Sequence, residues 1–495
     1  MRLQWQANLG SHHVRKSPLR QRITGKQRHG IPGIRFELQI TYIGEWHKMS
    51  KINVLQLSNQ LGRGGTERAL QIFAETLDKN LFNVYICGII RGGERERQLI
   101  NKGFEVSIVG EDQERLTQFM KERDIQIAHI HRAGTEEPFA INCAKKAGVP
   151  VIVETNVFGA IDRSPSGRLI DHHLFVSKMC VLRYQRLVPI SRDDFFKNSK
   201  VLYNPIKVSD FDSEVPPWMI EEFKSGIGLD LGDPVIGRIG RPDMRKWGNI
   251  CIDMVSHLIK LQPSVKYVIV GTPGPVKDAI SDTNMADNFV FLDDLSEKEL
   301  VMFYKSIDVL AHSSGIGESF GYTLAEAMAA KKPVVVNSTP LVDNAQIELV
   351  DNNKTGLIAN SPKAYAKAIS HLLEDKQKAY RMGLAGYEKV KKEYEAGVTT
   401  KVLEKIYVDM AQRKGIDIGD TAISRYKSLE YFPSFGDLAS FEDDYNRRLV
   451  SSFGGMDALS RIEVLGFRCF LERQFLVGLL RRSLYRARRI QAAIG

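Results

Sequence analysis

From residue 51 onward, short runs of aliphatic and β-branched residues alternate with stretches whose apolar positions recur every three to four residues. Near-continuous apolar runs suit strands buried on both faces, and the three-to-four spacing suits helices that bury one stripe. Alternating the two predicts parallel sheets covered by helices. The first run, Ile52–Leu57, precedes a glycine-rich turn and a helix over Glu67–Leu77. Further strands are predicted at Asn83–Ile89, Glu105–Val109, Ile125–Ile130, Val149–Glu154, His173–Val176 and Lys200–Tyr203, with helices near 93–101, 112–122 and 137–146. Asn204–Val215, closed by Pro216-Pro217, interrupts the pattern and reads as an interdomain hinge. The alternation then restarts, with strands at Val235–Ile239, Tyr267–Val270, Asn288–Leu292, Asp308–Ala311 and Pro333–Val336 and helices near 247–261, 296–305 and 322–330.

The pattern therefore gives two Rossmann-like α/β units in series, 49–205 and 206–375. Residues 376–414 follow as two helices, Ala379–Glu393 and Val398–Lys414, crossing back toward the first unit. The extension 415–495 is mixed up to about residue 455 and then becomes an amphipathic, Arg-rich helical pattern. No stretch of 20–50 residues repeats, which excludes a solenoid.

Charge refines this picture by its location. The chain carries +10, but residues 1–48 hold nine Lys/Arg against two Glu, and residues 416–495 hold twelve against ten acids. The middle is nearly neutral, so a basic groove for nucleic acid is not indicated. Residues 1–48 read as a basic extension, disordered or non-native, ahead of Met49. They lack the apolar stretch of a secretory signal, and no run of 18 apolar residues occurs anywhere, so a cytoplasmic protein is expected. Cys87, Cys143, Cys180, Cys251 and Cys469 are scattered and never form a C-x-x-C pair, arguing against disulfides and thiolate zinc.

Four segments carry candidate chemistry. In Gly317-Glu318-Ser319-Phe320-Gly321-Tyr322-Thr323-Leu324-Ala325-Glu326, two glutamates lie eight positions apart across a helix start. Such a start presents free N–H groups and partial positive charge to a phosphate. Glu326 is placed to accept from a ribose diol and Glu318 from sugar hydroxyls. Glu326 also stands among small apolar neighbours, where a carboxylate needs a partner. In Gly240-Arg241-Pro242-Asp243-Met244-Arg245-Lys246-Trp247-Gly248, just past a strand, Arg241 and Lys246 are candidates to stabilise the charge that grows on a departing diphosphate. The turn Gly62-Arg63-Gly64-Gly65-Thr66-Glu67 lacks the G-x-G-x-x-G dinucleotide fingerprint, which disfavours a nicotinamide dehydrogenase. His129 and His131 fall on one face of a strand; with no third ligand nearby a metal is not expected, and His131 reads as a hydrogen-bond donor to the sugar. Gly271 closes a strand and is placed to touch the nucleobase through its backbone. Asn344–Glu348 is expected to line the second cleft wall, and Asp210-Phe211-Asp212 receives little weight as a metal motif.

Together these segments resemble the retaining glycosyltransferases of family 4, which have the GT-B fold, over roughly residues 51–412. The resemblance implies two domains facing across a cleft, with Glu326 on the donor ribose, Glu318 on the donor sugar, and Arg241 and Lys246 on the pyrophosphate. It also implies that Phe320, Gly321 and Tyr322 belong to the donor site, that Gly64 and Gly65 bring backbone close to donor or acceptor, and that His131 matches the family's cleft histidine. Two departures stand out: Ser313-Ser314-Gly315-Ile316-Gly317 replaces a shorter Pro-Ser loop, and Trp247 intrudes before Gly248. The implied activity is transfer of a hexosyl-type sugar from a nucleotide-diphosphate sugar, without cofactor or metal, to a carbohydrate or lipid-linked acceptor in surface polysaccharide or glycolipid assembly. Retention implies front-face attack, with the leaving phosphate taking the acceptor proton. An epimerase or phosphorylase on the same fold, or a non-catalytic binding protein, are the alternatives. The Arg-rich segment 473–490 suits an anionic membrane surface, or equally docking on the protein with its charges in water.

Overall fold

The computed structural model describes residues 51–452 apart from 135, 186, 189, 192, 193, 249, 341 and 430–437, together with residue 483. Its first sheet contains seven strands: β1 (Ile52–Gln60), β2 (Phe82–Arg91), β3 (Glu105–Ile108), β4 (Ile127–Arg132), β5 (Val151–Asn156), β6 (His172–Phe175) and β7 (Ser199–Val201). The second contains six: β8 (Val235–Ile239), β9 (Lys266–Val270), β10 (Phe289–Leu292), β11 (Val309–His312), β12 (Val334–Val336) and β13 (Leu357–Ile358). Their orders are β3-β2-β1-β4-β5-β6-β7 and β10-β9-β8-β11-β12-β13, and the paired strands run parallel. Each order reverses once, between β1 and β4 and between β8 and β11. Open α/β sheets bind ligands at such reversals, in the crevice beyond the carboxyl ends of the strands.

The apolar runs are buried as their composition requires. Ile52, Val54, Leu55 and Leu57 of β1 are fully buried, as are Val334, Val335 and Val336 of β12. One core joins the two units: Phe175, Met179, Val201 and Tyr203 pack in the same cluster as Leu324, Ala325 and Met328. The return crossing is made by the helices Lys376–Glu393 and Ala396–Arg413. Val402, Leu403, Ile406 and Tyr407 of the second cover a face of the first sheet around Ile52, Val54 and Ile127.

Differences from the sequence expectation have physical causes. Pro216-Pro217, read as a break, instead opens the helix Pro217–Gly226, where a proline at the first position costs no hydrogen bond. The helix Lys178–Gln185 departs from the expectation because Met179, Cys180, Val181, Leu182 and Tyr184 are all buried, leaving only Lys178, Arg183 and Gln185 to mark its polar side. Within the stretch 415–455, read as mixed, the helices Asp420–Lys427 and Leu438–Ser451 form. The basic extension 1–48, Cys469 and the Arg-rich pattern 473–490, apart from residue 483, lie outside the described residues. Among the described residues no helix is long and apolar enough to cross a membrane, and no cluster of three His/Cys/Asp/Glu side chains is arranged to hold a metal ion.

Candidate active site

The site is built where the second sheet reverses its order. Beyond β8, Gly240 donates its N–H to Val270 O at 3.2 Å. Gly271 beyond β9 has φ +75°, and a Cβ there would fall 2.0 Å from the Gly240 carbonyl oxygen. Only glycine permits that contact, which draws the two loops together. The short turn Met244–Lys246 is capped by Asp243, whose carboxylate accepts from Arg245 N at 3.0 Å. The turn delivers Lys246 inward, while Arg241 stays exposed with no side-chain partner among the described residues.

Lys246 Nζ lies 2.9 Å from both Glu318 Oε1 and Oε2. His312, the last residue of β11, places Nε2 3.1 Å from Glu318 Oε1. The backbone of Glu318 is pinned as well: its N–H donates to Gln346 Oε1 at 3.0 Å and its carbonyl accepts from Ala345 N at 2.8 Å. The longer loop 313–317 is held by Ser314 N donating to Asn337 Oδ1 at 3.0 Å and Ser314 Oγ donating to Gly317 O at 3.0 Å. Burial alone would raise the Glu318 carboxyl, but the Lys246 ammonium and the His312 hydrogen bond hold it at about 2. Burial lowers His312, aided by Arg238 and Lys246 against the pull of Glu318. Its ring is therefore neutral and donates from Nε2, with Nδ1 buried and without a hydrogen-bond partner among the described residues.

Trp247, which intrudes on the family pattern, has a partner that sequence reasoning missed. The guanidinium of Arg238, on β8, lies 3.9 Å from the Trp247 ring centroid. It also donates from Nη2 to Lys246 O at 3.2 Å and Ser313 O at 3.4 Å, tying together the loops that carry Lys246 and Glu318. The available signal was a lone arginine inside the apolar run Val-Ile-Gly-Arg-Ile.

The helix Tyr322–Ala329 starts from Gly321 at φ +106°, again a conformation suited to glycine. Glu326 is 2% exposed, so it is a buried helix residue with partners. Tyr304 Oη donates to Glu326 Oε2 at 2.8 Å, and Arg68 Nη1 forms an ion pair with Oε1 that lacks hydrogen-bond alignment. Burial pushes the Glu326 carboxyl up, against the opposing effects of Arg68 and Tyr304. Arg68 belongs to the helix Gly65–Thr76 of the first unit, so this ion pair joins the two units. At Gly65 a Cβ would lie 3.1 Å from Tyr322 Cδ2, which places the glycine turn directly against the start of the second unit's helix. Gly64 is similarly crowded, by the side chain of Glu67 folding back over it. Phe320 is buried in edge contacts with Tyr322 at 5.3 Å and Tyr394 at 5.7 Å, so its ring anchors the loop.

Of the remaining sequence candidates, His131 is 2% exposed and stacks on His129 at 4.2 Å. Its Nε2 lies 2.6 Å from Gln56 Oε1, and burial pushes it down to about 3. His129 bridges Tyr407 Oη at 2.6 Å and Thr155 Oγ1 at 2.7 Å. Glu348, expected on the cleft wall, instead accepts from Lys178 N at 2.9 Å and Met179 N at 2.8 Å, capping a helix of the first unit. Asp212 pairs with Lys331 and accepts from Tyr387 Oη at 2.7 Å. Arg68, Tyr304, His312 and Arg238 are thus the site neighbours that sequence reasoning did not name.

Residues 219–389 match the family described as glycosyl transferases group 1. The D-inositol 3-phosphate glycosyltransferase of Corynebacterium glutamicum (strain R) is 27% identical over 215 residues, 41% of this chain and 49% of that protein. The alpha-monoglucosyldiacylglycerol synthase of Acholeplasma laidlawii is 23% identical over 237 residues, 46% of this chain and 56% of that protein. The chain thus spans about half the length of these curated relatives. Among solved structures, Anabaena HepE in complex with UDP-glucose matches with a TM-score of 0.60 at 17% identity, over 72% of this chain and 100% of HepE. A glycosyltransferase from Rickettsia africae ESF-5 matches with a TM-score of 0.61 at 18% identity, over 73% and 99%. The solved structures show the fold, and the matched segment encloses Lys246, Glu318 and Glu326. Residues 219–389 thus match the group 1 glycosyl transferase family within a chain that has the GT-B fold.

Proposed function

We propose that the protein transfers a hexosyl-type sugar from a nucleotide-diphosphate sugar to a carbohydrate or lipid-linked acceptor, with retention of anomeric configuration. The observation that carries this reading is the meeting of Lys246 and Glu318 at the order reversal of the second sheet, beside the start of the helix Tyr322–Ala329. A cation and a helix N-terminus suit a diphosphate, and a carboxylate held ionised suits sugar hydroxyls. HepE, which shares the fold, has been crystallised with UDP and with UDP-glucose, and the Acholeplasma relative is named as a synthase of a monoglucosyldiacylglycerol.

In this reading Lys246 and the exposed Arg241 stabilise the charge that develops on the diphosphate as the glycosidic bond loosens. Glu318 orients the sugar through its hydroxyls, and Glu326 receives the ribose. The leaving phosphate accepts the acceptor's proton, so no metal and no protein base is required. Backbone around Gly64, Gly65 and Gly271 lines the donor path. A family 4 role in surface polysaccharide or glycolipid assembly belongs to the same reading, as does contact with an anionic membrane through residues 473–490 when the acceptor is lipid-linked.

A thermal-shift panel of UDP-, GDP- and ADP-glucose tests the proposal, because a ligand bound only by the native state raises the melting temperature. One member is expected to stabilise the wild type by a few degrees and to lose that effect in Glu318→Ala. Failure of all three to stabilise the wild type, or retention of the full shift in Glu318→Ala, would refute it. Donor consumption without an acceptor, or only with inorganic phosphate, would favour an epimerase or a phosphorylase.

A further inference from the structure

The donor-facing carboxylate of the second unit is already engaged by the first. Glu326 Oε2 accepts from Tyr304 and Oε1 faces Arg68. A ribose diol bound by Glu326 must therefore draw on oxygens that Tyr304 and Arg68 already engage, and it competes with Arg68 for Oε1, which no aligned hydrogen bond occupies.

The surroundings determine where the displaced guanidinium finds an anion. Arg68 stands 5.5 Å from the Tyr322 ring centroid, at the helix start proposed to receive the diphosphate. Arg95, from the helix Glu94–Asn101, lies near enough that the two arginines repel, and burial together with Arg68 lowers its pKa. Arg95 donates from Nη1 to Gln71 Oε1, while its Nε is buried without a hydrogen-bond partner among the described residues, as is the hydroxyl of Tyr322. Two arginines, with an N–H and a hydroxyl that lack partners among the described residues, thus converge on the first turn of that helix, where Glu326 and, more weakly, Asp210 are the acids acting on Arg68. A ribose that draws on Glu326 weakens its pairing with Arg68 and leaves the guanidinium less well balanced, with Asp210 the other acid acting on it. A diphosphate at the same helix start neutralises it.

We propose that Arg68 is a donor-binding residue supplied by the first unit, exchanging its Glu326 partner for the donor diphosphate when the ribose occupies Glu326. This rests on the reading that Glu326 receives the ribose. It makes the donor itself the link between the two units: the nucleoside moiety alone displaces Arg68 at a cost, and the diphosphate restores a counter-charge. The site therefore discriminates strongly for nucleoside diphosphates over nucleosides.

Calorimetric titration of the full chain with UDP, GDP and ADP, and with the matching nucleosides by competition, tests this. For the diphosphate that binds the wild type, Arg68→Ala is expected to weaken binding about tenfold or more, the contribution of a charge-assisted hydrogen bond. The matching nucleoside is expected to bind the variant as tightly as the wild type, or more tightly. Arg68→Gln, which keeps length and hydrogen bonding without charge, is expected to show the same selective loss and serves if the alanine variant does not fold. Equal weakening of nucleoside and diphosphate would make Arg68 a structural contact, and a diphosphate affinity within about twofold of wild type would remove it from the phosphate site; either overturns the proposal. If the wild type binds none of the three diphosphates, the sugar-transfer reading fails first and this inference falls with it.

Discussion

Replacing Lys246 with methionine removes the main counter-charge of a buried carboxylate while preserving most of the side chain's bulk. Two unit charges at 2.9 Å attract by about 6 kcal/mol at an effective dielectric constant of about 20, before the cost of burying them. The net effect is smaller. Glu318 is held at about 2 against an ordinary 4.5, which corresponds to about 3 kcal/mol at about 1.4 kcal/mol per pH unit. Breaking one partner of a buried pair costs a similar amount, about 3–5 kcal/mol. Lys246→Met is therefore expected to lose about 3 kcal/mol at pH 7.5, read from urea unfolding followed by circular dichroism. In the wild type the Glu318 pKa is depressed, so its contribution is present above pH 4.5 and is lost only as pH falls toward 2. In the variant, burial acts on Glu318 without the ammonium and raises its pKa above the unfolded value. The variant's deficit is then largest at pH 7.5 and shrinks toward pH 5, as the carboxyl takes a proton in the folded state. A loss below about 1 kcal/mol, or the same loss at both pH values, would refute the assignment.

Further outcomes follow from the same geometry. Glu326→Ala strands the Arg68 guanidinium and the Tyr304 hydroxyl, and is expected to cost about 3 kcal/mol in urea unfolding and to abolish the thermal shift by a nucleotide-sugar. Arg241→Ala, at an exposed side chain without a partner among the described residues, is expected to leave stability within about 0.5 kcal/mol while weakening nucleotide-diphosphate binding about tenfold. Because burial holds His131 at about 3, its ring resonance is expected not to titrate between pH 5 and 8, and a midpoint near 6.5 would contradict the burial. Its depressed pKa also makes the fold lose stability as pH falls below about 6.5, since the unfolded chain then takes up a proton that the folded chain refuses.

Much of the second sheet's site was legible in the sequence because its chemistry is local. Gly240 to Gly248 and Gly317 to Glu326 are continuous segments, and a glutamate amid Leu324, Ala325, Ala327 and Met328 announces a buried carboxylate that needs a partner. The partners themselves are long-range. Arg68 lies 258 positions before Glu326, and no local period connects a helix of one unit to a helix of the other. Glu348 departs from expectation for the same reason: its neighbourhood looks like a cleft loop, but its ligands are backbone N–H groups of the distant helix Lys178–Gln185. Trp247 looked like a defect in a motif until Arg238 was seen beneath its ring.

The return of the helix Ala396–Arg413 to the first sheet also bears on how the chain comes together. A ribosome releases β1 through β7 long before Leu403, Ile406 and Tyr407 exist to cover Ile52, Val54 and Ile127. Throughout translation of the second unit, that apolar face and the polar row of Gln56 and His129 await their lid. The first unit thus emerges as an incomplete body with an adhesive side, a candidate client for holdase chaperones. Truncating the chain before residue 396 would leave that side uncovered permanently, so such fragments are expected to aggregate.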